Sequence, residues 1–466
     1  MTLLHDDRLF PADTETRTIA RRIYRQIQDM PILSPHGHLD ARWFAEDLAF
    51  PDPATLFIVP DHYIFRMLYS QGEPMERMGI GQGALEPAQA RAIWRLFASR
   101  YYLFRGTPTR LWLDYAFQEL FGIEERLTEG NADRHYDAIA EKLASPEFRP
   151  RALYDRFRIE ALSTTNSALD PLADHQKLRA SGWHGRILPT FRPDSVVDPD
   201  FDGFARNVRA LGEMHGEDCL HWIGYLNALA KCRRRFKDLG CTATDHGHPT
   251  ARTEDLPAEE AARLFRLVIE QQADAAQREM FRAQMLTEMA RMSLDDGLVM
   301  QIHPGSVRNH NRQVHERFGR DMGGDIPAAT DYVHALGPLL NRFGNEPSLT
   351  IILFTLDEAA YSRELAPLAG HYPCLLLGPP WWFYDSPEGM LRFRELVTET
   401  AGFYNTAGFN DDTRAFLSIP ARHDVARRID CSYLARLVAE HRLEEAEAVE
   451  VATQLFGEVV RKAYRL

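Results

Sequence analysis

Cysteine is scarce: five in 466 residues, at Cys219, Cys232, Cys241, Cys374 and Cys431. No two of them form a CxxC pair, so neither a disulfide framework nor a thiolate zinc knuckle is expected. Long apolar runs are absent too. No window approaches about 18 uninterrupted apolar residues, the length a membrane-spanning helix needs. The opening stretch, MTLLHDDRLFPADTETR, lacks the apolar core of a secretory signal. A reducing, cytoplasmic setting is expected, with no membrane partner. Basic charge is in deficit, with 54 Lys and Arg against 67 Asp and Glu and a formal net charge of -13. Such a surface repels nucleic acid and anionic lipid, so no nucleic-acid partner is expected. The chain has no GxxxxGK[ST], no GxGxxG after a strand and no GxSxG. Their absence argues against nucleotide binding and serine-hydrolase chemistry. Internal repeats and low-complexity segments are missing as well.

What is present is an ordinary globular composition, 45% hydrophobic and 26% charged, which excludes a wholly disordered chain. The length suits a large domain with an inserted or appended one. Eight short apolar or β-branched runs end in polar residues: PILSPH (31–36), EALSTT (160–165), RILPT (186–190), GCTAT (240–244), LVMQIH (298–303), LTIILFT (349–355), PCLLLG (373–378) and NTAGFND (405–411). Such runs read as strands buried on both faces of a parallel sheet. Helical patterns lie between them, at 219–240, 258–292 and 385–404. The last begins with Asp385, Ser386 and Pro387, a helix-start signature. Strands alternating with helices predict an α/β fold, a (β/α)8 TIM-type barrel. A doubly wound open sheet is the alternative. More than a hundred residues separate the first two runs, too many for one crossover helix. The expected division is an N-terminal segment with the first barrel strand (1–64), a helical insertion (65–150), and the rest of the barrel with C-terminal helices (151–466).

In such a barrel the C-terminal strand ends converge on one pocket. The first run ends at His36 and His38. A His-x-His pair on a strand sets both rings on one face, about 7 Å apart. Two imidazoles there, with a carboxylate from across the barrel, can hold one divalent cation and leave positions open. The plainer alternative is a pair of hydrogen-bonded pocket histidines. The third run leads to Arg192, the fourth to Asp245 and His246, the fifth to His303 and Arg308, the eighth to Asp411, Asp412 and Arg414. Guanidinium forks suit carboxylates, so Arg192, Arg308 and Arg414 are candidates for binding a small acid, against surface ion pairing. DHYIFRMLYSQG (61–72) offers Tyr63 as a proton carrier and Arg66 as an anion holder, against simple packing on an amphipathic helix. Trp381 and Trp382 could floor a sugar site or lie in the core.

These stretches, taken in order, resemble the uronate isomerase (glucuronate isomerase) family of the amidohydrolase superfamily. The resemblance runs nearly end to end: DMPILSPHGHLDARWFAEDLAF, DHYIFRM, RPD, Met292–Gly297 into LVMQIHPGSVRNHN, WWF, and DDTRAFLSIPARHD. It implies a barrel, and aldose–ketose isomerisation of D-glucuronate to D-fructuronate and D-galacturonate to D-tagaturonate. It implies one divalent metal, commonly zinc, on His36, His38 and Asp412. It places the active-site tyrosine at Tyr63 and the last-strand arginine at Arg414, with Arg192 near the substrate carboxylate and Asp245 and His303 in the pocket. On this reading Arg414 lowers the Tyr63 pKa, Tyr63 moves the carbon proton, and Asp412 handles hydroxyl protons. The family's TTDDP is Thr165-Asn166-Ser167-Ala168 here, and Phe191 stands where tryptophan is common, which bears on substrate preference. A metal-dependent hydrolase and a non-catalytic sugar-acid-binding protein are the rivals. The helical insertion offers surface for a homo-oligomer.

Overall fold

The computed structural model describes residues 3–466; Met1 and Thr2, which begin the polar opening stretch, lie outside them. Among the described residues the parallel strands are β1 (Ile32–Ser34), β2 (Ile159–Ser167), β3 (Ile187–Arg192), β4 (Ala243–His246) and β5 (Val299–Ile302), then, after a two-stranded hairpin of β6 (Ser306–Val307) and β7 (Ile326–Pro327), β8 (Ile351–Leu353) and β9 (Leu375–Leu377). Their order, β1-β2-β3-β4-β5-β8-β9, puts each strand beside its successor. A doubly wound sheet reverses order at a switch point, and this one does not. The eighth stave is held by a single parallel bridge, Leu377 to Thr406. Two backbone bonds flank it, Leu377 N to Asn405 O and Ala407 N to Leu377 O. The fold is the TIM-type barrel.

All eight runs supply staves, with shifted ends. β2 runs on past Thr165 to Ser167, and β3 past Thr190 to Arg192, because Asn166 pairs with Phe191 and Ser167 with Arg192. β4 starts later than its run and takes in Asp245 and His246, which pair with Gln301 and Ile302. Polar residues thus remain in the ladder and carry their side chains to the barrel rim. β1 stops at Ser34, so His36 and His38 lie past the strand rather than on it. The β6–β7 hairpin escaped the sequence reading because two-residue strands leave no periodic signal.

Inside the barrel, Leu33, Ala161, Leu188, Ala243, Val299 and Ile352 meet as one cluster, joined by Val460, Ala463 and Tyr464 of the last helix. Outside it, helices cover the sheet. Those of 219–240 and 385–404 appear as Trp222–Asp238 and Pro387–Ala401, the second capped by the Ser386 hydroxyl accepting from Gly389 N. The 258–292 stretch divides into Ala258–Ile269 and Ala275–Asp296, because the Asp274 carboxylate caps a new helix start by accepting from Gln277 N. Between β1 and β2 the chain is helical from Ala41 onwards and packs a second core, with Trp94, Phe97, Phe104 and Phe117 fully buried. The tail forms the helices Ile419–Ala439, Glu445–Leu455 and Glu458–Tyr464. Ile419–Ala439 is buried almost all round, lying between the barrel and the N-terminal helix Thr14–Ile27. All five cysteines are buried and unbridged. Among the described residues no helix is long and apolar enough to cross a membrane.

Two histidines brace the staves as neutral rings. His175 Nε2 lies 2.9 Å from Thr164 Oγ1 on β2, and His246 Nε2 lies 2.9 Å from Thr244 Oγ1 on β4. Burial pushes His175 down to about 4 and His246 down to about 3. The unfolded chain, with an ordinary histidine value of 6.5, therefore binds protons first as pH falls. The stability they contribute is complete above about pH 6.5 and is lost towards pH 4, on the order of 3 kcal/mol for His175 alone. Melting temperature measured across this range should fall with acidity, and His175→Gln should flatten that slope.

Candidate functional site

A cavity of about 530 Å³ opens at the C-terminal ends of the staves. That size suits a small organic ligand. His36, His38, Tyr63, Arg192, Asp245, His303, Arg308, Trp381, Trp382, Asp412 and Arg414 all line it. Residues spread over nearly four hundred positions meet there because all but Tyr63 follow or end barrel staves, whose C-terminal ends share one rim.

The barrel seam brings the first and last staves together. His38 N donates to Thr413 O at 3.0 Å, and Thr165 Oγ1 donates to Gly37 O at 2.9 Å. The two imidazole rings lie 5.3 Å apart, nearly perpendicular. Asp412 takes a left-handed backbone, φ 37°, unusual for a residue with a Cβ and typical of functional positions. Its Oδ1 comes within 3.4 Å of His36 Nε2 and 3.1 Å of His38 Nε2. Among the described residues these three form a group whose ligand atoms lie within 4.8 Å of one another. Asp412 Oδ1 is buried, yet it accepts no well-directed hydrogen bond, and His36 Nδ1 is also unpartnered. Two nitrogens and a carboxylate oxygen converging at this spacing fit a divalent cation with open positions.

The electrostatics agree with that fit. Burial favours neutral Asp412, but the two imidazoles overcome it and hold the carboxyl well below the usual range. Burial pushes His38 down, and Asp412 does not make up the difference. His36 is also pushed down by burial, but Asp245 and Asp412 leave it raised. Ligation requires the neutral ring, so a cation arriving here would release a proton.

Opposite, Asp245 is fully buried, with Oδ1 2.7 Å from His303 Nε2 and Oδ2 3.4 Å from an Arg192 nitrogen. Burial raises its pKa, and His303 and Arg192 together drive it well below the usual range. Arg192 Nε also donates to Asp194 at 2.8 Å. Arg308 pairs with the buried Asp325 at 2.8 Å and lies over Trp382 at 5.4 Å. Arg414 faces Asp321 at 3.2 Å. Trp381 is core and wall at once. It is 8% exposed, donates Nε1 to Thr355 O, and sets its ring 5.2 Å from His303.

Tyr63 lies on the helix His62–Tyr69, whose first turn is fixed by the Asp61 carboxylate accepting from Tyr63 N at 2.8 Å. Its ring stacks on His62 and meets Trp112 edge-on. Two expectations need correction. The cation beside Tyr63 is Arg422, 5.5 Å from the ring, not Arg414, which turns to Asp321. Burial outweighs Arg422 and raises the phenol far above its ordinary value, so Tyr63 is a neutral phenol. Arg66 does not line the cavity. One helical turn beyond His62, its guanidinium lies over Phe383 at 4.8 Å.

Sequence reasoning missed Asp321 and Arg422. Arg422 is fully buried in the helix Ile419–Ala439, pairs with Asp385, and packs 3.6 Å over Trp112. No local pattern marks either residue, since one sits in an irregular loop and the other among six charged helix positions.

Comparison with known proteins adds the family. The model described as glucuronate isomerase matches residues 3–462. A uronate isomerase of Rhizorhabdus wittichii is 63% identical over 99% of this chain and 98% of its own length. The crystal structure of glucuronate isomerase from Caulobacter crescentus superposes with a TM-score of 0.98 at 55% identity, covering 100% of this chain and 98% of that one. That of uronate isomerase from Thermotoga maritima gives 0.92 at 27% identity over 99% of both chains.

Gly247 tests how tightly the cavity wall is set. A Cβ there would meet the Arg192 guanidinium at 2.5 Å, Asp194 Oδ2 at 2.8 Å and the His303 ring at 3.0 Å. Gly247→Ala should therefore cut kcat/KM by about a hundredfold by displacing those groups, with little change in melting temperature.

Proposed function

Because the chain belongs to the glucuronate isomerase family, we propose that it interconverts D-glucuronate with D-fructuronate and D-galacturonate with D-tagaturonate. The observation that carries this is the convergence of His36, His38 and Asp412 in a cavity walled by five arginines. Cation ligands face the reacting carbons, and guanidinium groups receive the acid. His36, His38 and Asp412 would hold the metal, for which zinc is our choice. When bound, it would stabilise charge developing on the C1 and C2 oxygens.

The chain's own residues supply the proton traffic. Asp412, held ionised, takes the C2 proton of the open-chain aldehyde, and the C–H electron pair becomes the C1=C2 bond. The C1 oxygen takes a proton from the Tyr63 phenol, giving a cis-enediol. The O2 proton returns to Tyr63 as the C2 carbonyl forms, and Asp412 delivers its proton to C1. This reverses the carbon-proton role expected of Tyr63, because a phenol raised by burial is a donor and not a resting base. His303 and Asp245 orient sugar hydroxyls, and Arg192, at the end of β3, orients the carboxylate, with Arg308 and Arg414 beside it. Trp381 and Trp382 form an apolar side of the pocket. We take residues 65–150 as the insertion that closes one side, and a cytoplasmic homo-oligomer as the working form.

Incubation with either uronate should yield the ketose by NMR. Product from amides or lactones instead would indicate a hydrolase, and binding without turnover a sensor. Asp412→Asn should abolish C2 proton exchange, a loss of at least about a thousandfold. Tyr63→Phe should retain metal content while slowing turnover by roughly a hundredfold. Metal analysis of His36→Ala should show loss of the bound ion.

A further inference from the structure

Asp412 is held through its neighbours in the chain, not through its own side chain. Asn410, Asp411 and Thr413 are all buried. Each is tied to the C-terminal helices or to the segment that leads into them. Asn410 Nδ2 donates to the Tyr464 hydroxyl at 3.0 Å. Asp411 Oδ2 lies 3.0 Å from His423 Nε2, and the Asp411 carbonyl accepts from Arg422 at 3.2 Å. Thr413 Oγ1 lies 3.0 Å from Ser418 Oγ, which also accepts from Arg422 Nε at 3.1 Å. Asp412 takes no part in this network. Its backbone is left-handed, and its Oδ1 turns towards His36 and His38.

His423 sits at the centre of the arrangement. Its ring is 3% exposed and meets Phe409, on the same segment as Asp411, edge-on at 5.0 Å. The Asp411 carboxylate reaches the histidine turn as well. Its Oδ1 lies 3.8 Å from where a Cβ on Gly37, between His36 and His38, would sit. One buried carboxylate thus backs all three ligands. It is the peptide neighbour of Asp412 and packs behind the turn that carries both imidazoles. The helix Ile419–Ala439 has other anchors of its own. Arg394 pairs with Asp430 at 2.7 Å, and Arg427 donates to Gln28 O and Met30 O, both at 2.8 Å. The proton traffic proposed above employs neither His423 nor Asp411. A buried imidazole–carboxylate pair directly behind a set of ligands has another use, since ligands keep their place when the groups behind them do.

We propose that His423, acting through Asp411, is a positioning residue for cation binding: it holds the left-handed turn at Asp412, so that the ligands are set before the ion arrives. This rests on the reading of His36, His38 and Asp412 as cation ligands. A turn free to relax would have to be ordered again at each binding event, and that ordering would be lost from the affinity.

The test strips the protein of metal and titrates it with zinc against a competing chelator. His423→Leu removes the group that holds Asp411 and should weaken zinc binding roughly ten- to hundredfold. His423→Gln, which sets an amide nitrogen near the place of Nε2, should restore affinity to within about threefold of the wild-type protein. Asp430→Asn breaks a buried ion pair further along the same helix. It should lower the melting temperature and leave zinc affinity within about twofold. Equal losses from His423→Leu and Asp430→Asn would show that only the packing of the helix matters, and would overturn the proposal. So would unchanged affinity in His423→Leu. If that variant does not fold, His423→Asn keeps a polar side chain whose amide stops short of Asp411, and it should show the same loss. Wild-type protein that takes up no zinc would sink the cation reading and this proposal with it. Wild-type uptake with no loss in the His423 variants would sink only the role of His423.

Discussion

The seam between the first and last barrel staves is the constraint on which the site depends. One backbone bond, His38 N to Thr413 O, fixes the segments that follow the two staves side by side. The left-handed turn at Asp412 then aims its carboxylate at both imidazoles. Such a conformation costs of order 1–3 kcal/mol and persists only where the surroundings over-determine it. Here they do. The preceding Asp411 is fully buried and bound by His423, and Arg422 donates to the Asp411 carbonyl. The C-terminal helix therefore acts on the site through the backbone of the last stave.

Charge in the cavity is arranged as opposed pairs, not as a basic patch. Every cavity arginine has a carboxylate, and burial pushes several of those carboxyls up. Arginine and histidine neighbours keep Asp245 and Asp412 ionised. A protein with net charge -13 can thus present an anion-accepting pocket without a basic surface.

Tyr63 shows how the helices between β1 and β2 enter the chemistry. Asp61 starts its helix, Trp112 from another helix of the insertion packs on its ring, and Arg422 from the tail lies against both. Three distant segments set one phenol. Their packing half-buries the ring, and that burial raises the phenol and keeps it protonated.

The sequence alone determined the alternation of buried strands and helices, because short apolar runs with polar ends have few other stable uses; the strand order of the folded sheet decided for a barrel over a doubly wound sheet. It also determined which strand ends carry His36, His38, Asp245, His303 and Asp412, since period and position place them on one rim. It did not determine partners. Whether Arg414 faces Tyr63 or Asp321, whether Arg66 reaches the cavity, and whether Trp381 is wall or core depend on loop paths and side-chain directions set by contacts between residues hundreds of positions apart. Arg422 and Asp321 left no local trace for the same reason. Their significance lies in what packs against them, and that exists only once the insertion, the β6–β7 loop and the C-terminal helix have closed around the barrel mouth.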